Sequence, residues 1–408
     1  MPDCRFCGAP LRLTFVDLGK TPLANSYLKP GDLQHIEPVY PLHARVCEFC
    51  FLVQVEPVVP AEEIFGHYAY FSSYSKSWLE HAADYCRMAR AKFALDTKSF
   101  VIEIASNDGY LLKNFITAGI PCLGIEPAAN VAEVARKNNV PTEALFFGEK
   151  TAGAIAKKYK KADLIIANNV LAHVPDLNDF VRGFKTLLKP GGTITCEVPH
   201  LLKLIIGVQF DTIYHEHYSY FSLLALEKIF AFHGLEIYDA DELSTHGGSL
   251  RIYAAHSGEG QKTSVQLKKI RADEKAANLD KPEGYSGFGV KVKTICAELF
   301  TFLEKTKAEG ETVAGFGAAA KGNTLLNVSK IKNDSIKFVC DNNPHKQRLY
   351  MPGSHIPILP PQEIFAKKPD YVLILPWNIA AEIAQELADI KSWGGKFVTA
   401  IPNLRIWQ

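Results

Sequence analysis

The sequence predicts an α/β protein in which a small amino-terminal metal-binding module precedes two Rossmann-like domains. Apolar strands alternate with helical segments in two separate regions, and each region carries a small-residue turn directly after its first strand. Such alternation is typical of mainly parallel sheets. Two close pairs of cysteines near the amino terminus predict the module. We therefore expect units at residues 1–70, 71–257 and 258–408, which suits a length of 408 residues.

Composition and charge narrow the classes of function. Hydrophobic residues make up 47% of the chain and charged residues 22%, as in globular proteins with a sizeable core. A net charge of +1 gives no strong field toward nucleic acid or anionic lipid, so we expect neither as a partner. The sequence has neither a signal-peptide pattern nor an apolar run of about 18 residues, so we expect a cytoplasmic protein. Oligomeric state is left open, a monomer included.

The amino-terminal cysteines form two C-x-x-C pairs, Cys4 with Cys7 and Cys47 with Cys50. Four thiolates make a closed tetrahedral site that suits Zn²⁺ and has no open position for water or substrate. We therefore expect one structural zinc ion, the alternative being two pairs of buried thiols without a metal. The long gap between the pairs requires the intervening segment to fold back. The other five cysteines lie in apolar surroundings, and we assign them no chemistry.

A ligand-binding turn follows the first strand of the middle region. Residues 100–112 read FVIEIASNDGYLL, an apolar strand that ends in small residues and continues into a helix. Small residues allow the backbone to approach a ligand, and the helix start offers free N–H groups. A second strand ends in Glu126, placed to accept both hydroxyls of a ribose, and a third ends in Asn168 and Asn169.

This series resembles the class I S-adenosylmethionine-dependent methyltransferases, whose first motif is E-x-G-x-G-x-G. Ala105 and Asn107 replace two of its glycines. An NAD-binding fold is the rival, but its G-x-G-x-x-G is absent from this turn. The resemblance implies an S-adenosylmethionine site, and we expect its contacts from Glu103, Ala105, Asn107, Gly109, Glu126, Asn168 and Asn169.

The segment Tyr214–Ser222 carries two histidines, one glutamate and three tyrosines in nine positions, a density that favours catalysis over a core role. The H-E-x-x-H of metalloproteases is excluded because His215 and His217 are two residues apart. The alternation suggests an extended segment with these histidines on one side and Glu216 on the other. Spacing alone leaves open which histidine meets the substrate.

Several motifs together resemble the nucleotide-sugar C-methyltransferases over nearly the whole chain. They are the two cysteine pairs, segments 18–25 and 71–75, the turn that contains Asn107, Asp108 and Gly109, called the donor turn below, and the Tyr-His-Glu-His string. The resemblance implies methylation of a ring carbon beside the 4-keto group of a nucleotide-diphosphate-linked deoxysugar. It also implies His217 as the base, with Tyr214, Glu216 and His173 in the catalytic pocket. We expect Tyr74 and His215 to contact the sugar.

The implied chemistry agrees with these residue types. A carbon nucleophile forms by removal of a proton next to a ketone, which requires a base and a hydrogen-bond donor for the enolate oxygen. A neutral histidine with a pKa near 6.5 is a competent base at neutral pH, and a phenol or a second histidine can donate to the oxygen.

A second small-residue turn, GFGAAAKGN, occupies residues 315–323 between a strand and a helix. It lacks the P-loop spacing, but free amides and Lys321 suit a sugar diphosphate. The alternative is a tight packing turn. The next strand ends in Asp341, and we expect Lys321, Asn323 and Asp341 to bind the nucleotide sugar.

Two rival functions use other features of the sequence. An O- or N-methyltransferase needs only an acidic or nucleophilic heteroatom, and the Tyr-His-Glu-His string argues against it. A zinc-ribbon protein that binds nucleic acid is disfavoured by the near-neutral charge and by the lack of basic and aromatic residues in alternation.

Overall fold

The computed structural model describes residues 2–60 and 76–408, which form three sheets and the helices between them. The first sheet belongs to the amino-terminal module. Its strands are β1 (Leu13–Thr21), β2 (Tyr40–Val46) and β3 (Val53–Gln54), all antiparallel. Buried and exposed positions alternate along β2, as expected for a sheet with one solvated face.

The second sheet has seven strands. These are β4 (Val101–Ile104), β5 (Cys122–Ile125), β6 (Thr142–Glu143), β7 (Ala162–Asn168), β8 (Leu188–Pro199), β10 (Leu235–Leu243) and β11 (Ser249–His256). Their order is β10-β11-β8-β7-β4-β5-β6, and the five strands from β8 to β6 are parallel. Strand β11 is antiparallel to both neighbours. The predicted mainly parallel sheet is confirmed.

The short strand β9 (Ser219–Tyr220) is not part of this sheet and pairs with β3 of the amino-terminal module. The first sheet therefore includes residues from the middle of the chain. Because β9 directly follows the Tyr-His-Glu-His string, the module is in contact with the segment that carries the candidate catalytic residues.

Seven helices among the described residues belong to the same part of the chain as the second sheet, which is called the middle sheet below. They are α1 (Lys76–Lys92), α2 (Leu112–Thr117), α3 (Ala129–Lys137), α4 (Glu149–Lys158), α5 (Leu177–Leu187), α6 (Leu201–Ile206) and α7 (Leu223–Phe232). Two of them begin at capping side chains, since Asp176 accepts from the N–H of Asp179 and Ser222 accepts from that of Ala225. These caps fix the ends of the two segments that carry His173 and His217.

Helices α8 (Val265–Ala276) and α9 (Phe288–Ala308) connect the middle sheet with the third sheet, as the sequence predicts. Phe288 of α9 stacks on Phe15 of β1, with ring centroids 4.4 Å apart. The connection therefore also packs against the amino-terminal module.

The third sheet is the carboxyl-terminal α/β domain. Its strands are β12 (Val313–Phe316), β13 (Val339–Cys340), β14 (Ile358–Leu359), β15 (Tyr371–Ile374), β16 (Lys396–Thr399) and β17 (Arg405–Trp407). Their order is β14-β13-β12-β15-β16-β17, parallel except for β17. Helices α10 (Ala320–Val328), α11 (Gln362–Lys367) and α12 (Ala380–Glu386) complete it. The predicted second α/β domain is confirmed.

The amino-terminal module also contacts the carboxyl-terminal domain. Leu28 and Tyr350 exchange two backbone hydrogen bonds of 3.0 and 2.8 Å. Glu37 accepts hydrogen bonds from the N–H of Gly353 and from Nε2 of His355. Within residues 2–60 and 76–408, none of the helices is long and apolar enough to span a bilayer.

Candidate active site

The four predicted metal ligands lie together. The Sγ atoms of Cys4, Cys7, Cys47 and Cys50 are all within 4.8 Å of one another. Cys4 and Cys50 are 3.5 Å apart, as are Cys7 and Cys47. A tetrahedral zinc ion with Zn–S bonds of about 2.3 Å places its sulfurs about 3.8 Å apart, so the cluster fits the ion. Gln54 donates to Sγ of Cys4 at 3.2 Å, the kind of contact that stabilises a ligating thiolate.

The donor turn keeps the glycine-like backbone although two glycines are replaced. Ala105 and Asn107 have φ angles of 55° and 50°, and Gly109 has 80°. Asparagine tolerates this left-handed backbone conformation, whereas the same conformation costs alanine about 1 kcal/mol. The replacements therefore preserve the path of the chain at a modest cost.

Three acidic residues surround this turn. Glu126 is buried and accepts hydrogen bonds from the N–H groups of Asn107 and Ala128, both at 2.9 Å. Glu103 is 1% exposed, and its Oε2 has no partner among the described residues. Burial, together with the charges of Glu126 and Asp108, raises the pKa of Glu103 well above its usual range. Buried acids with spare acceptor atoms suit a ligand with hydroxyl and cationic groups, as S-adenosylmethionine has.

Replacing Gly109 by alanine is expected to weaken S-adenosylmethionine binding by about tenfold or more, equivalent to about 1.4 kcal/mol. A Cβ atom at this position meets Cγ2 of Val140 at 2.6 Å, and the positive φ adds strain, so the turn has to shift. Ala105→Gly is the matched control, since it relieves strain in the same turn and should retain the affinity. Calorimetric titration measures both, and unchanged binding by the Gly109 variant would contradict the expectation.

Polar side chains at the carboxyl end of β7 lead to the first candidate histidine. Asn169 has a φ of 54°, and neither polar atom of its amide has a partner among the described residues. The short helical turn Leu171–His173 follows within a few residues. Since ligands bind at the carboxyl ends of parallel strands, Asn168, Asn169 and His173 lie at the expected edge.

The Tyr-His-Glu-His string forms a turn, and the expectation of an extended segment is wrong. The N–H of His217 donates to the carbonyl of Tyr214 at 2.9 Å, which closes the turn. The two histidines consequently face different surroundings: His215 lies beside Tyr40 and the Pro41 carbonyl, whereas His217 stacks beside Tyr214. Alternating polar residues gave a strand-like pattern, but the preceding turn Phe210–Thr212 redirects the chain.

The hydrogen bonds of His217 assign its tautomer. Nδ1 lies 2.9 Å from the carbonyl of Thr212, which can only accept, so Nδ1 carries the proton. Nε2 is therefore the acceptor, and the hydroxyl of Tyr214 donates to it at 2.9 Å. Burial is the main cause that lowers the pKa of His217 well below its usual range, and the ring is neutral at pH 7.

His173 lies next to His217, with ring centroids 4.7 Å apart. Its Nδ1 donates to the carbonyl of Glu216 at 2.8 Å, so the turn holds this ring as well. Burial lowers the pKa of His173 to about 4. Two neutral imidazoles and one phenol thus occupy the same small volume at the edge of the sheet.

The carboxylate of Glu216 points to the amino-terminal module. Both of its oxygens are 2.8 Å from Nδ2 of Asn25, which donates to them. Glu216 is 4% exposed, and burial raises its pKa to about 7. Glu216 therefore joins the histidine turn to segment 18–25. In the sequence, only the family resemblance connected these two segments.

Glu216→Gln is expected to stabilise the ligand-free protein at pH 8 by about 3 kcal/mol, at 1.36 kcal/mol per pKa unit. The pKa is about 7 in the folded state against 4.5 for an ordinary glutamate. The charged carboxylate therefore costs stability above pH 7, and the cost disappears as pH falls from 7 toward 4.5. Denaturant unfolding at pH 8 and 4.5 measures the difference, with the exposed Glu236→Gln as control. An equal effect at both pH values would rule out the ionisation as its cause.

The three carboxyl-terminal candidates have different hydrogen-bond partners. Lys321 donates to Oδ1 of Asn378 at 2.6 Å. Asn323 is buried and donates to the Ala24 carbonyl at 2.6 Å. Asp341 accepts from the N–H of Asn343 at 2.8 Å. Tyr74, the remaining sugar-contact candidate, lies outside the described residues.

Two residues that the sequence did not reveal contact the histidine segments or the backbone next to them. Arg5, inside the first cysteine pair, donates to the carbonyls of Pro175 and Val55. Asp211 is fully buried just before the Tyr-His-Glu-His turn and accepts from Nε1 of Trp377 at 2.7 Å. No sequence pattern marks either residue, because the partners are about 50 to 170 positions away.

Comparison with known proteins agrees with this architecture. Residues 4–65 match a family described as "Putative zinc binding domain", residues 78–240 a methyltransferase domain and residues 244–402 a C-methyltransferase C-terminal domain. The fold and the donor turn define an S-adenosylmethionine-dependent methyltransferase with a four-cysteine zinc-binding module, as the sequence predicts.

The chain is 34% identical to C-methyltransferase NovU from Streptomyces niveus over 404 residues, which cover 99% of this chain and 96% of that protein. It belongs to this family of C-methyltransferases. A ubiquinone biosynthesis O-methyltransferase from Chelativorans is 28% identical over 116 residues, covering 27% of this chain and 46% of that protein. A solved S-adenosylmethionine-dependent methyltransferase from Anabaena variabilis is 15% identical, with a TM-score of 0.34, over 43% of this chain and 84% of that protein.

Proposed function

We propose that this enzyme methylates a ring carbon beside the ketone of a nucleotide-diphosphate-linked 4-keto-deoxysugar, with His217 as the base. The observation that carries the proposal is the pair of neutral histidines beside Tyr214 at the carboxyl edge of the sheet. Carbon methylation requires removal of a carbon-bound proton, and a neutral imidazole can accept it. S-adenosylmethionine supplies the electrophilic methyl group.

His217 accepts the proton at Nε2 in this proposal. The Thr212 carbonyl holds the other ring proton on Nδ1, so the lone pair of Nε2 is oriented toward Tyr214. When the ketone binds, the Tyr214 hydroxyl turns its proton from Nε2 to the carbonyl oxygen. The phenol then hydrogen-bonds the enolate oxygen, and the released lone pair of Nε2 takes the proton from the carbon.

His173 and Glu216 position the base. The ring of His173 packs against His217 and is bound to the turn through the Glu216 carbonyl. The Glu216 side chain fastens the same turn to Asn25. We assign sugar contacts to Tyr74 and His215, and contacts with the nucleotide diphosphate to the turn before α10 with Asn323 and Asp341.

A panel of thymidine- and guanosine-diphosphate 4-ketosugars, incubated with S-adenosylmethionine, tests the proposal by mass spectrometry. The expected product gains one methyl group on carbon, and it retains every hydroxyl of the substrate. A methyl group on oxygen or nitrogen assigns the enzyme to the rival class. Failure with every 4-ketosugar overturns the proposed substrate.

A further inference from the structure

Lys321 lies in a polar corner formed by three segments, namely helix α10, the turn at Trp377 and Asn378, and the helical turn Phe210–Thr212. Its Nζ donates to Asn378 and is 5.0 Å from the centroid of the Trp377 ring. Trp377 in turn donates to Oδ2 of Asp211, the middle residue of the helical turn Phe210–Thr212 and three residues before Tyr214. Gly247 lies against the same tryptophan, since a Cβ atom added at this position would come within 2.4 Å of the Trp377 ring.

The charged and titratable groups around Lys321 come from each of the neighbouring elements. Asp211 precedes the Tyr-His-Glu-His turn, His217 belongs to that turn, and His246 comes from the loop between β10 and β11. Helix α10, which carries Lys321, contacts the segment before that turn, since the Thr324 hydroxyl donates to the Ile213 carbonyl at 3.2 Å. The charge of Lys321 contributes to a lowered pKa in both histidines. Oδ1 of Asp211 is buried without a hydrogen-bond partner among the described residues.

We infer that Lys321 donates a hydrogen bond to the substrate oxygen that becomes the enolate oxygen, with Asp211 and Asn378 positioning the ammonium group. The inference rests on the proposed function. An ammonium group has three donors, and Asn378 uses one of them. The proton leaves the carbon for Nε2 of His217, the C–H electron pair forms the carbon–carbon double bond, and the carbonyl pair moves onto the oxygen that Lys321 binds.

The charges favour this role over a diphosphate contact. The charge of Lys321 disfavours the imidazolium that forms when His217 accepts its proton, unless an anion forms at the same time. The enolate oxygen is such an anion, and it appears in the same step. A diphosphate carries more negative charge and would stand next to the buried carboxylate of Asp211, which repels it.

Lys321→Met tests the inference, with Lys332→Met as the matched control because Lys332 is exposed and donates to the Gly353 carbonyl. The measurement is solvent-deuterium exchange at the carbon beside the ketone, with S-adenosylhomocysteine in place of the donor. Loss of a donor to an oxyanion typically lowers the rate by about 10²- to 10³-fold. We expect this loss at saturating sugar in the Lys321 variant, with a calorimetric affinity for the nucleotide sugar within about threefold, or 0.7 kcal/mol, of wild type.

Deuterium exchange at the wild-type rate in the Lys321→Met variant overturns the inference but not the proposed function. If the variant loses affinity for the nucleotide sugar but exchanges deuterium at the wild-type rate at saturating sugar, Lys321 contacts the diphosphate instead. No exchange by the wild-type enzyme on any 4-ketosugar overturns both. If Lys321→Met does not fold, Asp211→Asn provides the test, since asparagine can still accept from Trp377.

The Asp211 variant has a readout that a structural role would not change. Burial lowers the pKa of Lys321, and the charge of Asp211 raises it. Removing that charge lowers the lysine pKa further, so the alkaline limb of the exchange rate should move to lower pH. An unmoved alkaline limb in a folded Asp211→Asn enzyme overturns the positioning role.

Discussion

Replacing His217 by asparagine is expected to lower proton exchange beside the substrate ketone by about 10²- to 10⁴-fold. Asparagine retains a polar group near Tyr214 and the Thr212 carbonyl but has no basic lone pair to accept the proton. Both ligands should still bind, because the donor turn and the carboxyl-terminal domain are untouched. Exchange with S-adenosylhomocysteine present separates deprotonation from methyl transfer, and calorimetry measures the two affinities.

Two other histidines compete for this role, and the structure separates their expected phenotypes. His173→Asn removes a ring that packs on His217, so we expect a smaller loss of exchange. His215 contacts the Pro41 carbonyl on the side of the amino-terminal module, and its replacement should mainly alter affinity. The exposed His345→Asn serves as control. Exchange at the wild-type rate in His217→Asn would assign the base elsewhere.

The sequence predicts those parts of the fold that depend on local pattern. The strand β4 is a run of four buried residues, as expected for a strand covered on both faces of a parallel sheet. The cysteine pairs predict a metal cluster because ligand type and spacing within each pair are sufficient. The donor turn is recognisable despite Ala105 and Asn107, since the small side chains still allow a left-handed backbone.

The arrangement of the site depends on contacts between distant segments, which local pattern does not encode. Glu216 meets Asn25 across 191 positions, and Asp211 meets Trp377 across 166. The shape of the Tyr-His-Glu-His segment depends on the turn before it and on the β3–β9 pairing. The prediction that His215 and His217 lie on one side of an extended segment was therefore wrong.

The zinc module is connected to both histidine segments through short hydrogen-bonded paths. Gln54 donates to Sγ of Cys4 and, as part of β3, pairs with Ser219 of β9. The N–H of Val55 donates to the carbonyl of Tyr218, the residue after His217. Arg5, between two ligands, donates to the carbonyl of Pro175, two residues after His173. Both histidine segments are thus anchored to the backbone around the metal ligands.

Loss of zinc is therefore expected to destabilise the whole protein and to loosen the catalytic turn. Structural zinc sites in peptides contribute about 10–16 kcal/mol of apparent binding free energy at pH 7. We expect Cys4→Ser to lower the unfolding midpoint by more than about 10 °C, since each kcal/mol shifts the midpoint of a domain of about 150–250 residues by about 2–4 °C. Amide hydrogen exchange at Ser219 and Tyr220 should accelerate with it.

Metal analysis and hydrogen exchange test this coupling without reference to turnover. The wild-type protein, purified without chelator, should contain one zinc per chain, and Cys4→Ser should contain less. Cys296→Ser is the matched control, because Cys296 lies on α9 outside the four-cysteine cluster. A zinc-free variant that keeps wild-type stability and wild-type protection of β9 would show that the metal does not support the turn. A zinc-free variant that is destabilised but keeps protection of β9 would confine the metal to the folding of its own module.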